Sequence, residues 1–304
     1  MLDLERMLKE VLVSEGAVYK AMEPMSRHTT FRVGGPAACF VGPSNEEELS
    51  GVIGLCRDHR IPWRILGNGS NLLVSDQGVE GVVIAMEEGW NYGRIQGRRV
   101  IAGAGLLLSR AAHLALEGSL EGMEFAAGIP GTVGGALVMN AGAYGSEIKA
   151  VLESARVMTP EGEILNLKAE ELKLGYRTSV IQEKGYVALE AVLKLKSGVS
   201  EEIEARMKEL AERRREKQPL EYPSAGSTFK RPKGYFAGKL IEDAGLRGYR
   251  MGGAQVSEKH CGFVINREGA TASDVMSLCR HIRDQVKANS GVDLEMEVKR
   301  WGDF

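Results

Sequence analysis

Glycine clustering is the first sign of chemistry in this chain. Within Glu124–Ile148, glycines 128, 131, 134, 135, 142 and 145 alternate with small residues and almost no charge. Glycine loses more conformational entropy on folding than other residues, so such a run persists where a Cβ would block a tight turn or keep a ligand from main-chain N–H groups. The stretch therefore offers a cradle for an anion, and a diphosphate-bearing cofactor is the expected occupant. A second loop, Gly67-Asn68-Gly69-Ser70-Asn71, follows an apolar run and mixes flexible backbone with short hydrogen-bonding side chains, which also suits oxyanions. Asn-Gly is equally a strong hairpin signal, so a plain turn stays open for this loop taken alone. Neither stretch is a Walker loop, because no Gly-Lys-Ser/Thr follows, and the GxxGxxGG spacing of 128–135 departs from the dinucleotide fingerprint. A non-Rossmann nucleotide site is the better reading.

Other reactive groups lie later. The polar insert Gly175-Tyr176-Arg177-Thr178-Ser179 interrupts a series of strand-like runs and sets an arginine and a phenol beside the sheet. Near the C-terminus, Val292, Leu294, Met296 and Val298 alternate with Asp293, Glu295 and Glu297, which predicts a strand with its carboxylates on one face. On an edge strand those acids would merely face water. Cys39, Cys56, Cys261 and Cys279 lack CxxC spacing, which suits reduced thiols in a cytosol, and no metal site is expected. A formal charge of -2 argues against a general nucleic-acid binder. No apolar run approaches the roughly 18 residues needed to span a bilayer. The acidic, helix-patterned N-terminus reads as neither signal nor transit peptide.

The elements that must position these groups follow from periodicity. With 304 residues, 43% hydrophobic and 26% charged, the chain can bury an ordinary core and divides into two or three domains. Leu4, Met7, Leu8, Val11 and Leu12 predict a first helix. Thr29–Val33 and Ala38–Val41 predict a hairpin about Gly34-Gly35-Pro36, and Ser44 with Glu47 reads as a capping box for a helix that stops before Pro62. Strands are expected at 63–66, 82–86, 155–158, 164–167 and 187–195. Gly103-Ala104-Gly105 reads as a strand end turning into a helix at 107–117. Ser200 is expected to cap a helix whose stripe is Ile203, Met207 and Leu210, acidic at its start and basic at its end, with a domain boundary near 197–205. A helix from Ser273 to about Ala288 buries Val275, Leu278, Cys279, Ile282 and Val286.

Six segments in order carry a family resemblance: HTTFRVGGPA at 28–37, GNGSNLLVSD at 67–76, GIPGTVGGALVMNAGAYG at 128–145, YRTS at 176–179, PSAGSTFKRP at 223–232 and LEMEV at 294–298. Together they closely resemble the UDP-N-acetylenolpyruvoylglucosamine reductase family of bacterial peptidoglycan synthesis, over nearly the whole chain. The short link before YRTS resembles the type II branch, which lacks an extra tyrosine-bearing loop.

The resemblance implies an α+β protein with an FAD-binding fold of the vanillyl-alcohol-oxidase (PCMH) type. Residues 1–200 would form two FAD-binding subdomains, split near 75–85. Residues 201–304 would form a C-terminal α/β substrate-binding domain whose last strand returns toward the flavin site. It implies a cytoplasmic enzyme with non-covalent FAD, NADPH as reductant, UDP-N-acetylglucosamine enolpyruvate as substrate and no obligate protein partner. By the same resemblance Arg177, Ser227 and Glu297 are catalytic; strand parity alone does not separate Glu297 from Glu295. Gly67, Asn68, Gly69, Ser70, Asn71, Gly128, Gly131, Thr132, Gly134, Asn140, Gly142 and Ala143 would hold the cofactor. Tyr176, Lys217, Lys230, Arg231 and Lys239 would hold the substrate, although the family often has asparagine where Arg231 stands. Gln255, Glu258 and His260 would line the same cleft, a structural histidine being the alternative for the last. Two other readings stay open: a related flavoprotein oxidising a small alcohol with oxygen, with His28 as the nearest candidate for a flavin tether, and a non-catalytic nucleotide-sugar sensor.

Overall fold

Residues 2–86 and 88–304 are described by the structure, a computed structural model. Two units separate by their internal contacts: residues 1–21, 39–68 and 81–214 form the first, and residues 22–38, 69–80 and 215–304 the second. The chain thus leaves the first unit after Ala21, Asn68 and Arg214, and returns to it at Cys39 and Gly81.

In the first unit an amphipathic helix, α1 (Leu2–Val11), packs on α2 (Glu46–Asp58). Glu48 ties the two together. Its carboxylate, 4% exposed, accepts from the backbone N–H groups of Val13, Ser14 and Ser44 and from the Ser44 hydroxyl. Trp63–Leu66 runs parallel to Val82–Ala85, burying the apolar strand of the second run. A five-stranded antiparallel sheet has the order Ile164–Lys168, Leu152–Met158, Val187–Lys194, Arg99–Gly103, Gly93–Gln96. Against it pack α3 (Leu108–Glu117) and α4 (Val133–Met139), followed by the short α5 (Val180–Lys184) and the long α6 (Ser200–Lys217). Leu49, Ile53, Ile84, Leu108, Leu137, Val157 and Leu189 belong to one continuous core.

The second unit has its own core, including Phe31, Leu73, Ile241, Val264, Leu278, Ile282 and Leu294. It comes from α7 (Ala237–Asp243), α8 (Ala272–Ser290) and a small antiparallel sheet, Arg250–Met251, Ala254–Val256 and Val264–Asn266. Thr271 and Asp274 form a complete capping box on α8, and Asp76 adds acceptors for the Ala272 and Ser273 N–H groups. The strand Lys299–Trp301 pairs in parallel with Leu72–Val74.

Four local expectations are corrected. Thr29–Val33 is a turn rather than a strand: the Thr29 hydroxyl donates to Val33 O, Arg32 adopts φ 55°, and Pro36–Gly42 is the strand. The cap of α2 is Asn45, which accepts from Glu48 N, while Glu48 rather than Glu47 reaches back to Ser44. Ser200 lies in the first turn of α6, and its hydroxyl bonds to that of Ser119. Residues 292–298 form no continuous strand; Met296 makes an isolated bridge to Phe229, and regular pairing starts only at Lys299.

Candidate active site

Of the expected cofactor loops, Gly67 and Asn68 meet the 128–135 stretch within the first unit, whereas Gly69, Ser70 and Asn71 belong to the second. Asn68 donates its side-chain amide to Pro130 O, and a Cβ on Gly67 would stand 2.6 Å from Thr132 Oγ1. Thr132 is the cap of α4, its hydroxyl accepting from Gly135 N at 3.2 Å, so a side chain at 67 would collide with the cap. Gly131 O accepts from Leu108 N, Leu106 O from Val133 N, and Ala104 O from Gly134 N. The 103–106 turn, read from the sequence only as a strand end, is therefore a third wall of the cradle. Gly142 and Ala143 form one side of a tight hairpin with Ser146–Glu147, turned through Tyr144 (φ 55°) and Gly145 (φ 86°). A glycine-rich backbone held this closely, with small side chains around it, fits a diphosphate-bearing cofactor such as FAD.

Asn140 connects this cradle to Arg177. It ends α4 in the left-handed conformation and is 1% exposed. Its amide donates to Gly175 O at 3.1 Å, while its oxygen accepts from Lys149 N at 3.0 Å. Ser179 caps α5 and donates its hydroxyl to Val138 O at 2.8 Å. The Gly175–Thr178 turn is consequently fastened to α4 at both ends. Arg177 occupies it at φ 58°, a conformation uncommon for any residue other than glycine, with its guanidinium 5.3 Å from the centre of the Tyr176 ring. Rigid presentation of an arginine suits recognition of a planar carboxylate.

In the second unit the Ser227 and Glu297 segments are paired. Glu297 N donates to Thr228 O at 2.9 Å and Lys230 N to Glu295 O at 2.8 Å, flanking the Phe229–Met296 bridge. Ser227 is exposed beside Gly226, which takes φ 75°. Glu297 is 8% exposed, whereas Glu295 faces solvent and forms an ion pair with Lys230. Strand parity placed the two acids on one face; the irregular backbone separates them. From the other side, Asn71 donates its amide to Glu297 O at 3.2 Å and accepts from Lys299 N at 2.9 Å. Gly69 takes φ 58° with its Cβ position only 2.0 Å from His28 O, and Ser70 is the half-buried residue between them.

The expected substrate cations stand on three elements. Lys217 is exposed at the end of α6. Arg231 stacks 4.0 Å from the Phe236 ring centre, and Lys239 pairs with Asp243 one turn along α7. Gln255 is occupied with Gly248 O, and Glu258 O accepts from Arg247. His260 Nδ1 accepts from Gly262 N at 3.0 Å; burial holds the ring below the ordinary histidine range, as a structural, neutral imidazole requires. His28 Nε2 lies 2.9 Å from Glu23. Among the described residues no cluster of three His, Cys, Asp or Glu side chains could hold a metal. No helix among them is long and apolar enough to cross a membrane. Sequence reasoning missed Ala104, Leu106 and Arg214. The last continues the buried stripe of α6, a signal that helical spacing did contain.

A family model described as an FAD binding domain matches residues 37–168, and one described as the C-terminal domain of UDP-N-acetylenolpyruvoylglucosamine reductase matches residues 218–301. A protein of that reductase name from Lachnoclostridium phytofermentans is 55% identical over 285 residues, 92% of each chain. The crystal structure of the reductase from Thermus caldophilus superposes with a TM-score of 0.81 at 37% identity, covering 94% of this chain and 99% of that one. A glucose oxidase variant of Phl p 4 shares the fold alone, with a TM-score of 0.50 at 14% identity over 65% of this chain and 44% of that one.

Proposed function

The chain belongs to the UDP-N-acetylenolpyruvoylglucosamine reductase family and is an FAD-dependent oxidoreductase, and from that premise we propose that it reduces UDP-N-acetylglucosamine enolpyruvate to UDP-N-acetylmuramate at the expense of NADPH. The observation that carries the reading is the pairing of 228–230 with 295–297, which brings the buried Glu297 to the segment presenting Ser227. Residues 1–200 are assigned chiefly to the flavin, with Tyr176 and Arg177 reaching the substrate, and residues 201–304 chiefly to the nucleotide sugar. The enzyme works in the cytoplasm without an obligate protein partner.

Non-covalent FAD, held by the backbone of the loops at 67–71 and 128–143 and reduced by NADPH, would supply the hydride that adds to the terminal vinyl carbon of the substrate. Arg177 binds the carboxylate into which the displaced electron pair of the double bond is delocalised, and its fixed fork stabilises that charge where it develops. Ser227 gives its hydroxyl proton to the adjacent carbon, completing a saturated ether that has gained one hydride and one proton. A serine hydroxyl is a weak acid, so close positioning matters more than its pKa, and the paired backbone at 228–230 supports that positioning. Glu297 supplies the second catalytic group beside it. Tyr176, Lys217, Lys230, Arg231 and Lys239 hold the nucleotide sugar, the cations meeting its diphosphate. Arg231 here brings charge where the family often has an amide.

Anaerobic NADPH oxidation that depends on the enolpyruvyl ether, with free FAD released intact on denaturation, is the expected behaviour. Flavin that stays attached to the denatured chain, with oxygen rather than the ether as acceptor, would support the alcohol-oxidase reading instead.

A further inference from the structure

One arginine stands where α6 should bury an apolar residue. The core-facing stripe of this helix runs Ile203, Met207, Leu210, spaced four and three apart, and the next position on it is Arg214. Its neighbours behave as surface cations: Arg213 is half-exposed and pairs with Glu209 at 2.6 Å, and Arg215 is exposed. Arg214 is instead drawn inward onto the glycine loop. A Cβ at Gly128 would lie 3.1 Å from Arg214 Cδ and 3.5 Å from its Nη1. Among the described residues Arg214 has no hydrogen bond and no carboxylate partner. Burial pushes its guanidinium below the ordinary arginine value, with only the Tyr144 phenol acting the other way. Both of these neighbours, Gly128 and Tyr144, belong to the cofactor stretch 128–145.

A partly desolvated guanidinium without a counter-ion is unfavourable unless an anion arrives to meet it. We infer that Arg214 is the counter-charge of the cradle, binding the diphosphate of FAD through its fork as the loop backbone binds it through N–H groups. The inference rests on the flavin reading of the first unit and adds a residue outside the glycine motifs, delivered by the helix that ends that unit. A Cβ at Gly128 would press on the Arg214 side chain, whose Cδ would have to give by a few tenths of an ångström.

Two diphosphates are available, that of the flavin and that of the nucleotide sugar, and titrations separate them. Apoprotein of the wild type, Arg214→Met and Arg214→Lys is titrated with FAD by flavin fluorescence and, as holoenzyme, with UDP-N-acetylglucosamine. Thermal melting of each apoprotein is measured alongside. Arg214→Met should weaken FAD by about 10- to 100-fold, the range of a charge-assisted hydrogen bond, and Arg214→Lys by less. The apo Arg214→Met protein should melt no lower than apo wild type, because an unpaired charge has been replaced by an apolar side chain of similar length. Unchanged FAD affinity overturns the inference. So does a loss confined to UDP-N-acetylglucosamine, or a lowered apo melting temperature with FAD affinity intact, which would make Arg214 a packing residue. A wild-type protein that binds no flavin would sink the flavin reading itself and is recognised before any variant is made.

Discussion

At the scale of single residues, the division of labour between binding and chemistry is open to test. Ser227 lies on an exposed turn beside Gly226, and its hydroxyl makes no hydrogen bond among the described residues, so removing it leaves little structural debt. Ser227→Ala should leave the reduction of flavin by NADPH nearly intact. It should slow reoxidation by the enolpyruvyl ether by about 100- to 10,000-fold, the contribution usual for a positioned general acid. Stopped-flow traces of the two half-reactions separate the effects, and equal losses in both would remove Ser227 from its role. Glu295 and Glu297 show what the sequence left open at this scale. Their alternate spacing put both on one face, and only the ending motif chose between them. In the structure Glu297 is buried against the Ser227 segment and Glu295 is paired with Lys230 in solvent, because the backbone at 292–298 is held by single bridges rather than by a ladder.

Elements were legible where packing on one face decides them. The helices at 2–11, 108–117, 200–217 and 272–290 follow their apolar stripes, and the apolar runs at 63–66 and 187–194 are strands. Segments fixed by partners distant in sequence were not. Thr29–Val33 has strand-type residues but is closed into a turn by the Thr29 hydroxyl and by Gly69 O accepting from Thr30 N. The cap of α2 shifted by one residue because Glu48 serves three main-chain donors at once. Burial alone would raise the Glu48 pKa, but the hydrogen bonds from Ser44 and Ser14 outweigh it and hold the carboxyl below its ordinary range. Its folded pKa lies below the unfolded one, so its contribution to stability is fully present above the unfolded value, about 4.3, and is lost as pH falls through the folded value. Glu48→Gln should cost about 1–3 kcal/mol at pH 7. Its urea midpoint should fall less than that of the wild type between pH 5 and pH 3. Parallel declines in the two proteins would show that Glu48 carries no linked protonation.

The molecule as a whole is woven rather than strung. The family resemblance divided the chain by function at 200/201, whereas its internal contacts change units at 214/215 and assign 22–38 and 69–80 to the second unit. No periodicity signals such an exchange, since each insert is too short to show a core of its own. The consequence is energetic. Phe31, Val33 and Leu73 belong to the second core, and losing them at about 2–5 kcal/mol each removes as much as the whole stability of an ordinary domain, about 5–15 kcal/mol. A fragment of residues 201–304 should therefore show no cooperative thermal transition by circular dichroism; a sharp, reversible melt would mean that these inserts are dispensable to the core.

The same weave governs function. The residues proposed for flavin, carboxylate and proton come from segments spread from Gly67 to Glu297, with Asn140 and Ser179 fastening the Arg177 turn to α4 and Asn71 fastening the Glu297 backbone. The proposed reaction rests on one transfer, from reduced flavin to a vinyl carbon. Holoenzyme reduced anaerobically with one equivalent of NADPH and mixed with UDP-N-acetylglucosamine enolpyruvate should regain its oxidised flavin spectrum in a single turnover and yield UDP-N-acetylmuramate in equal amount. A flavin that stays reduced in the presence of the ether, and is reoxidised only when oxygen is admitted, would contradict it.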